Sequence, residues 1–327
     1  MVLSQPAPAE TQPLKLADRA PGSPGPGEVA IDVVACGVCR TDLHILEGEV
    51  TAHLPIVPGH QAAGRIAAVG PGVTSLAVED LAGVGWLAST DQTCRFCRSG
   101  RENLCEQATF TGRDRDGGYA QHLVADARWV YRLPDGFAAD QAAPLLCAGI
   151  IGYRSLKLSG IQPGGKLGLF GFGASAHLAI QVALSWNCRV YAFTREEIHR
   201  NLAREMGAVW SGDTFDDPGV ALDAAVTFAP AGEVVLAALE RLDRGATVAV
   251  NAIHMASLPP IPYERLYGER VISSVMNYTR ADAIEFLELS ARIPVHAQVE
   301  EFALEDANQA LLRVKRGQVR GAAVLTV

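Results

Sequence analysis

The sequence predicts an α/β protein in two parts, a compact β-rich domain and a doubly wound parallel sheet. Three observations predict it. Up to about Tyr131 the chain reads as short strands broken by glycine and proline turns. From about Gly152 it changes to apolar strand, glycine-rich turn and helix, repeated, which is the signature of parallel strands covered on both faces. A length of 327 residues suggests about two domains, each large enough to bury a substantial core.

The elements follow in order. Residues 21–27 (Pro-Gly-Ser-Pro-Gly-Pro-Gly) form a rigid turn, because proline fixes φ and glycine supplies positive φ. Residues 29–34 alternate and are β-branched, so they read as a strand. Residues 59–72 hold strand-like segments interrupted by glycines. In the second part, 166–170 and 189–193 are short apolar strands with a helix over 174–184 between them. Residues 221–228 and 246–251 read as further buried parallel strands, with 232–242 helical between them. Two more helices are expected over 281–291 and 304–315, and 322–327 reads as a strand returning to the first domain. No internal repeat, low-complexity tail or flexible linker interrupts this order.

Composition narrows the function. Nearly half the residues (49%) are hydrophobic and 20% are charged, the balance of a soluble globular protein. The formal charge is 28 − 36 = −8, which favours neither nucleic acid nor an anionic membrane as partner. No apolar run reaches the roughly 18 residues of a membrane span. Residues 1–10 lack a basic segment followed by an apolar block, so no signal peptide is expected. Seven cysteines in such a chain read as metal ligands rather than disulfides, and the expected compartment is the cytoplasm.

The chemistry concentrates in Cys39-Arg40-Thr41-Asp42-Leu43-His44, which packs a thiol, a guanidinium, a hydroxyl, a carboxylate and an imidazole into six residues. Gly59-His60 lies downstream, and Cys147 stands alone in an apolar run over residues 142–149. Two thiolates and one imidazole make a three-ligand zinc set that leaves a fourth position open for water or substrate. Taken alone, Cys39 would read as a small buried hydrophobe. A second cluster, Cys94, Cys97 and Cys105, spaced i, i+3 and i+11, reads as a closed structural zinc site. Asp91 stands three residues before Cys94 and supplies a carboxylate as the fourth ligand. A metal-free lobe with three free thiols is the competing reading.

The glycine turn is Gly171-Phe172-Gly173-Ala174-Ser175-Ala176, between a predicted strand and a predicted helix. Glycines let the backbone approach a pyrophosphate, and the helix start offers N–H donors and a positive dipole end. A tight strand-to-helix turn with no ligand is the alternative. At the end of the next strand, Thr194 occupies the place where NAD-using folds carry an Asp or Glu for the ribose 2′-hydroxyl. A hydroxyl there does not repel a 2′-phosphate, and Arg195 can meet phosphate oxygens with two parallel hydrogen bonds, so NADP is favoured over NAD. The competing reading turns Glu196 or Glu197 toward the ribose instead.

Together these motifs resemble the zinc-dependent alcohol dehydrogenases of the medium-chain dehydrogenase/reductase superfamily, across nearly the whole chain. The resemblance rests on Gly-Val-Cys-Arg-Thr-Asp-Leu-His, Pro-Gly-His, the Cys-x-x-Cys lobe with Gly-Arg-Glu-Asn-Leu-Cys, Pro-Leu-Leu-Cys-Ala-Gly and Gly-Phe-Gly-Ala-Ser-Ala. It implies a GroES-like catalytic domain over residues 1–150 with 287–327, and a Rossmann cofactor domain over 151–286. Carried over, it implies that Cys39, His60 and Cys147 hold the catalytic zinc and that Asp42 orients His60. Thr41 would touch the substrate oxygen, His44 would end a proton relay through Thr41 and the cofactor ribose, and Arg40 and Arg320 would meet the cofactor pyrophosphate. It implies a homo-oligomer, dimer or tetramer.

Two departures stand out. The family's Gly-His-Glu reads Gly-His-Gln here, with Gln61, and Asp91 replaces the lobe's first cysteine. Cys36 and Cys188 match no ligand position and read as buried thiols. Trp86, Leu87 and Phe110 are expected to line a pocket for a small or slender apolar alcohol. The expected reaction is reversible hydride transfer between a nicotinamide and an alcohol, giving an aldehyde or ketone. The rivals are a zinc-free quinone or enone reductase of the same superfamily and a non-catalytic nucleotide-binding protein.

Overall fold

Alternation carries the first strand further than its β-branched residues suggest. β1 runs Glu28–Val38, alternating in burial over its first half and wholly buried over its last four residues. In the computed structural model, which describes residues 1–134, 136–255, 257–293 and 295–327, the chain then turns into a short helix, α1 (Arg40–Leu46). There follow β2 (Ala62–Val69), β3 (Leu81–Val84), β4 (Leu87–Ser89), α2 (Arg95–Arg98), β5 (Thr109–Phe110), β6 (His122–Asp126), β7 (Val130–Arg132) and α3 (Ala139–Ala142). The second stretch runs α4 (Ala148–Ser159), β8 (Lys166–Phe170), α5 (Ala174–Ser185), β9 (Arg189–Phe193), α6 (Glu197–Glu205), β10 (Trp210–Gly212), β11 (Leu222–Thr227), α7 (Gly232–Arg241), β12 (Leu242–Val250), α8 (Tyr263–Leu266) and β13 (Val271–Ser274). The tail is α9 (Arg280–Arg292), β14 (Val299–Ala303), α10 (Ala307–Lys315) and β15 (Ala322–Thr326).

These elements form two compact units. Unit 1 comprises Met1–Cys147, Tyr278–Ala291 and Ala297–Val327. Unit 2 comprises Ala148–Asn277 and Arg292–His296. Unit 1 is built on a seven-stranded sheet in the order β14-β15-β1-β2-β3-β7, with β6 also pairing β1. The terminal strand β15 closes it by running antiparallel to β1, with Cys36 opposite Leu325. Most of these pairs are antiparallel, and only β14–β15 run parallel.

Unit 2 is a six-stranded parallel sheet in the order β10-β9-β8-β11-β12-β13. The order runs outward in opposite directions from β8 and β11, so the topological switch point lies between them. Ligands of such sheets bind at that point, outside the carboxyl ends of the strands. Helices cover both faces, which is why β8, β9 and β11 are almost continuously buried. Phe170 and Phe193, one at each strand end, stack with centroids 4.1 Å apart.

Two sequence expectations need correction. The strand expected at 246–251 begins at Leu242, directly after α7. Its early residues are polar and exposed, and a register shift between the Leu222 and Ala224 pairings hides them from a periodicity argument. The helix expected over 304–315 opens as a 3₁₀ turn, Leu304–Asp306, and is α-helical only over α10. Among the described residues, no helix is long and apolar enough to cross a membrane.

Candidate metal and cofactor sites

The end of β1 is converted into a site by its own capping chemistry. Cys39 is extended (φ −116°, ψ 155°) and caps α1, accepting from the Thr41 N–H at 3.5 Å through Sγ. The Asp42 carboxylate returns to accept from the Cys39 N–H at 2.9 Å. This reciprocal pair satisfies two donors that a helix start leaves open. It also places a thiol and a carboxylate side by side.

His60 enters from a second direction. Gly59 before it has φ +94°, a conformation that only glycine adopts cheaply. His60 has no exposed surface, and its Nδ1 lies 2.9 Å from Asp42 Oδ1. A carboxylate only accepts, so Nδ1 carries a proton and Nε2 is the nitrogen that would face a metal. Cys147 completes the set from the end of a 3₁₀ turn, Ala143–Leu146, with its Sγ 3.3 Å from His60 Nε2. The three ligand atoms lie within 4.8 Å of one another. Tetrahedral zinc with Zn–S near 2.3 Å and Zn–N near 2.0 Å would hold its donors about 3.5–3.8 Å apart.

The electrostatics fit a cation at this point. A hydrogen bond from Cys147 outweighs burial and, with His60, holds the Cys39 thiol well below its ordinary range. Cys147 is pushed up by that same contact and by burial. Burial works against charge on His60, but Asp42 and Cys39 overcome it and raise the imidazole to about 10. Positive charge is therefore stabilised where the three donors meet, which is the property a zinc site requires.

Around this centre, the Trp86 ring stands edge-on to His60 at 4.9 Å and stacks on Phe110 at 5.0 Å. Leu87, on β4, has no surface exposed to bulk solvent. His44 is buried on α1, its Nδ1 paired closely with the Glu49 carboxylate, whose side chain is 42% exposed. Gln61 is buried with its side chain against Gly37 of β1. Arg40 donates to the Val314 carbonyl at 3.3 Å, and the Arg320 backbone N–H donates to Glu300 at 2.7 Å. Cys36 and Cys188 are buried thiols. Two contact residues escaped the sequence reading. Glu49 on His44 and the Tyr119 hydroxyl on Asp42 belong to no spacing pattern, and the paired glycines 117 and 118 before Tyr119 were the one signal available.

The second cluster gathers Asp91, Cys94, Cys97 and Cys105, whose ligand atoms also lie within 4.8 Å of one another. Asp91 Oδ1 accepts from the N–H groups of Thr93 at 2.8 Å and Cys94 at 2.9 Å, which hold its carboxyl below the usual range. Four potential anions in one loop repel one another unless a cation sits among them, and a carboxylate with three thiolates is a zinc-compatible set.

In unit 2, Gly171 has φ +87° and its N–H donates to the Phe193 carbonyl at 2.8 Å, tying the turn to the end of β9. A Cβ on Gly173 would meet nothing within 4 Å, and α5, opening through Ala174, Ser175 and Ala176, has no side-chain cap. Open space above uncapped N–H donors at a switch point is what a pyrophosphate fills. Thr194 is buried after β9, while the Arg195 side chain is 78% exposed, 3.5 Å from Glu196. Arg200 supports both from below, donating to the carbonyls of Thr194 at 2.8 Å and Arg195 at 2.6 Å.

Comparison with known proteins gives a consistent result. The family described as alcohol dehydrogenase GroES-like domain matches residues 25–135. The chain is 43% identical to the probable alcohol dehydrogenase AdhA of Mycobacterium tuberculosis, over 99% of this chain and 95% of that protein. It is 36% identical to an alcohol dehydrogenase of Geobacillus stearothermophilus, over 92% of each. Its backbone matches a cinnamyl alcohol dehydrogenase from Sorghum bicolor with a TM-score of 0.88 at 28% identity, covering 94% of this chain and 92% of that one.

Proposed function

The chain belongs to the zinc-type alcohol dehydrogenases of the medium-chain dehydrogenase/reductase superfamily, and on that premise we propose that its reaction takes place at Cys39, His60 and Cys147. The protein interconverts an alcohol with its aldehyde or ketone, the hydride passing to or from a nicotinamide cofactor. The observation that carries the site assignment is the convergence of two thiols and an imidazole whose other nitrogen is already held by Asp42.

Zinc bound by these ligands would act as a Lewis acid, favouring the alkoxide in one direction and polarising the carbonyl in the other. The chain's own residues do the rest. Asp42 fixes the His60 tautomer and ring plane. The Thr41 hydroxyl would accept the alcohol's proton as it gives up its own, and His44 would pass a proton on toward solvent, with Glu49 holding Nδ1 so that Nε2 is the exchanging nitrogen. The Trp86–Phe110 stack beside His60 excludes water and admits a small or slender apolar alcohol. Chelation should remove alcohol-dependent reduction of the cofactor and added zinc should restore it. Full activity in a metal-free chain would overturn this reading.

For the cofactor, the glycine turn of unit 2 would receive the pyrophosphate. NADP is the favoured form, since position 194 lacks a carboxylate and the exposed Arg195 guanidinium is available for a 2′-phosphate. Arg195→Ala should raise KM for NADP far more than for NAD, by about 1.5–3 kcal/mol for one charge-assisted contact. An equal loss for both cofactors would count against the assignment. A structural zinc held by Asp91, Cys94, Cys97 and Cys105 completes the metal inventory. The edge strand β13, with Val271 46% exposed, supports a homo-oligomer, and sedimentation as a monomer would contradict it.

A further inference from the structure

Tyr119 takes no part in the chemistry above, yet it is wholly buried and its hydroxyl donates to Asp42 Oδ2 at 3.2 Å. Asp42, itself without exposed surface, is thereby surrounded by donors. Oδ2 receives the phenol and the Cys39 N–H, and Oδ1 receives His60 Nδ1–H at 2.9 Å. The backbone that delivers the phenol is clamped to the backbone that delivers the histidine. Gly117 N–H donates to Val57 O at 2.7 Å, Gly118 N–H to Gly59 O at 2.7 Å and Tyr119 N–H to Pro58 O at 2.9 Å. The Tyr119 ring fills the space a Cβ on Gly59 would need, with Cδ1 only 2.3 Å from that position. One side chain thus packs the residue before His60 and grips the carboxylate behind its ring.

We propose that Tyr119 is a positioning residue for His60, acting through Asp42. With Oδ2 held from two sides, the carboxylate cannot rotate about its Cβ–Cγ bond. It therefore presents Oδ1 to the imidazole and keeps Nε2 aimed at Cys39 and Cys147. Without the phenol, a buried oxygen loses one of two donors and the carboxylate turns to recover it, taking the histidine ring out of line. This inference rests on the zinc reading of the site.

Tyr119→Phe removes the hydroxyl and keeps the ring against Gly59. The test follows transfer of zinc from the full-length holoenzyme to a colorimetric chelator, with the Asp91 lobe as internal reference and Asp91→Ala identifying its phase. A ligand's direct hydrogen-bond partner is worth roughly 10–100-fold in metal affinity, so a group one step further out should speed release from the Cys39 site about three- to tenfold. The lobe phase should not change. In an Asp42→Ala background, Tyr119→Phe should add nothing, because the hydroxyl acts only through that carboxylate. Unchanged release, equal acceleration in both backgrounds, or both phases quickening together would each overturn the proposal. An unmutated chain that releases zinc from the lobe alone would overturn the zinc reading, and this inference with it.

Discussion

At the scale of the residue, Asp42 is the hinge of the site. Its two oxygens serve Cys39, Tyr119 and His60 at once, so a helix cap and a proposed metal ligand share one carboxylate. Asp42→Asn keeps the shape but exchanges one acceptor for a donor that faces Nδ1–H. Zinc affinity at the Cys39 site should fall roughly 10–100-fold in a competition titration against a chelator. Wild-type affinity would show that His60 is oriented by packing alone. The residues that could hold a metal stood out in the sequence because thiols and imidazoles are scarce and their neighbourhoods distinctive. Tyr119 and Glu49 were not legible, because an aromatic ring in a β-rich domain and a glutamate after a helix are ordinary until the fold sets them beside Asp42 and His44.

At the scale of the element, the Asp91 lobe and α5 make separate predictions. The lobe has little apolar packing, with Phe96 lying between the guanidinium groups of Arg95 and Arg101 at 4.6 and 5.6 Å. A metal in the proposed site would therefore supply much of its order. Asp91→Ala should lose one zinc per chain and lower the unfolding temperature while leaving turnover close to normal. A chain with no zinc to lose at this site would refute the four-ligand assignment. On α5, His177 is fully buried, and burial outweighs backbone hydrogen bonding to press its pKa from 6.5 to about 4. The native state holds it neutral while the unfolded chain binds a proton below about pH 6.5. Its contribution is thus complete above pH 6.5 and is lost as pH falls toward 4, a change of about 3 kcal/mol. His177→Leu should flatten that part of the acid limb in denaturation measured from pH 7 to 4. Parallel curves for both chains would contradict the assignment. The strands of this half were readable from short apolar runs. The start of β12 was not, since a polar, exposed segment joins the sheet only through a register shift.

At the scale of the whole molecule, the chain assigns separate chemistry to two units. Among the described residues, unit 1 gathers both clusters that could hold a metal, Cys39 with His60 and Cys147 and Asp91 with Cys94, Cys97 and Cys105, and closes its sheet with a strand from the far end of the chain. Unit 2 offers an open glycine turn at the switch point of a parallel sheet. The change of pattern from short strands to alternating strand and helix made this division visible in the sequence. The closure by β15 was visible only as a final apolar run. Turnover should depend on a zinc at Cys39, His60 and Cys147. The most direct test is zinc content per chain measured on the same samples as alcohol-dependent cofactor reduction, for the unmutated protein and Cys39→Ser. The first should carry about two zinc ions and turn over, and the second about one zinc, with an intact fold and no turnover. Near-normal turnover in Cys39→Ser with only the lobe zinc remaining would contradict it.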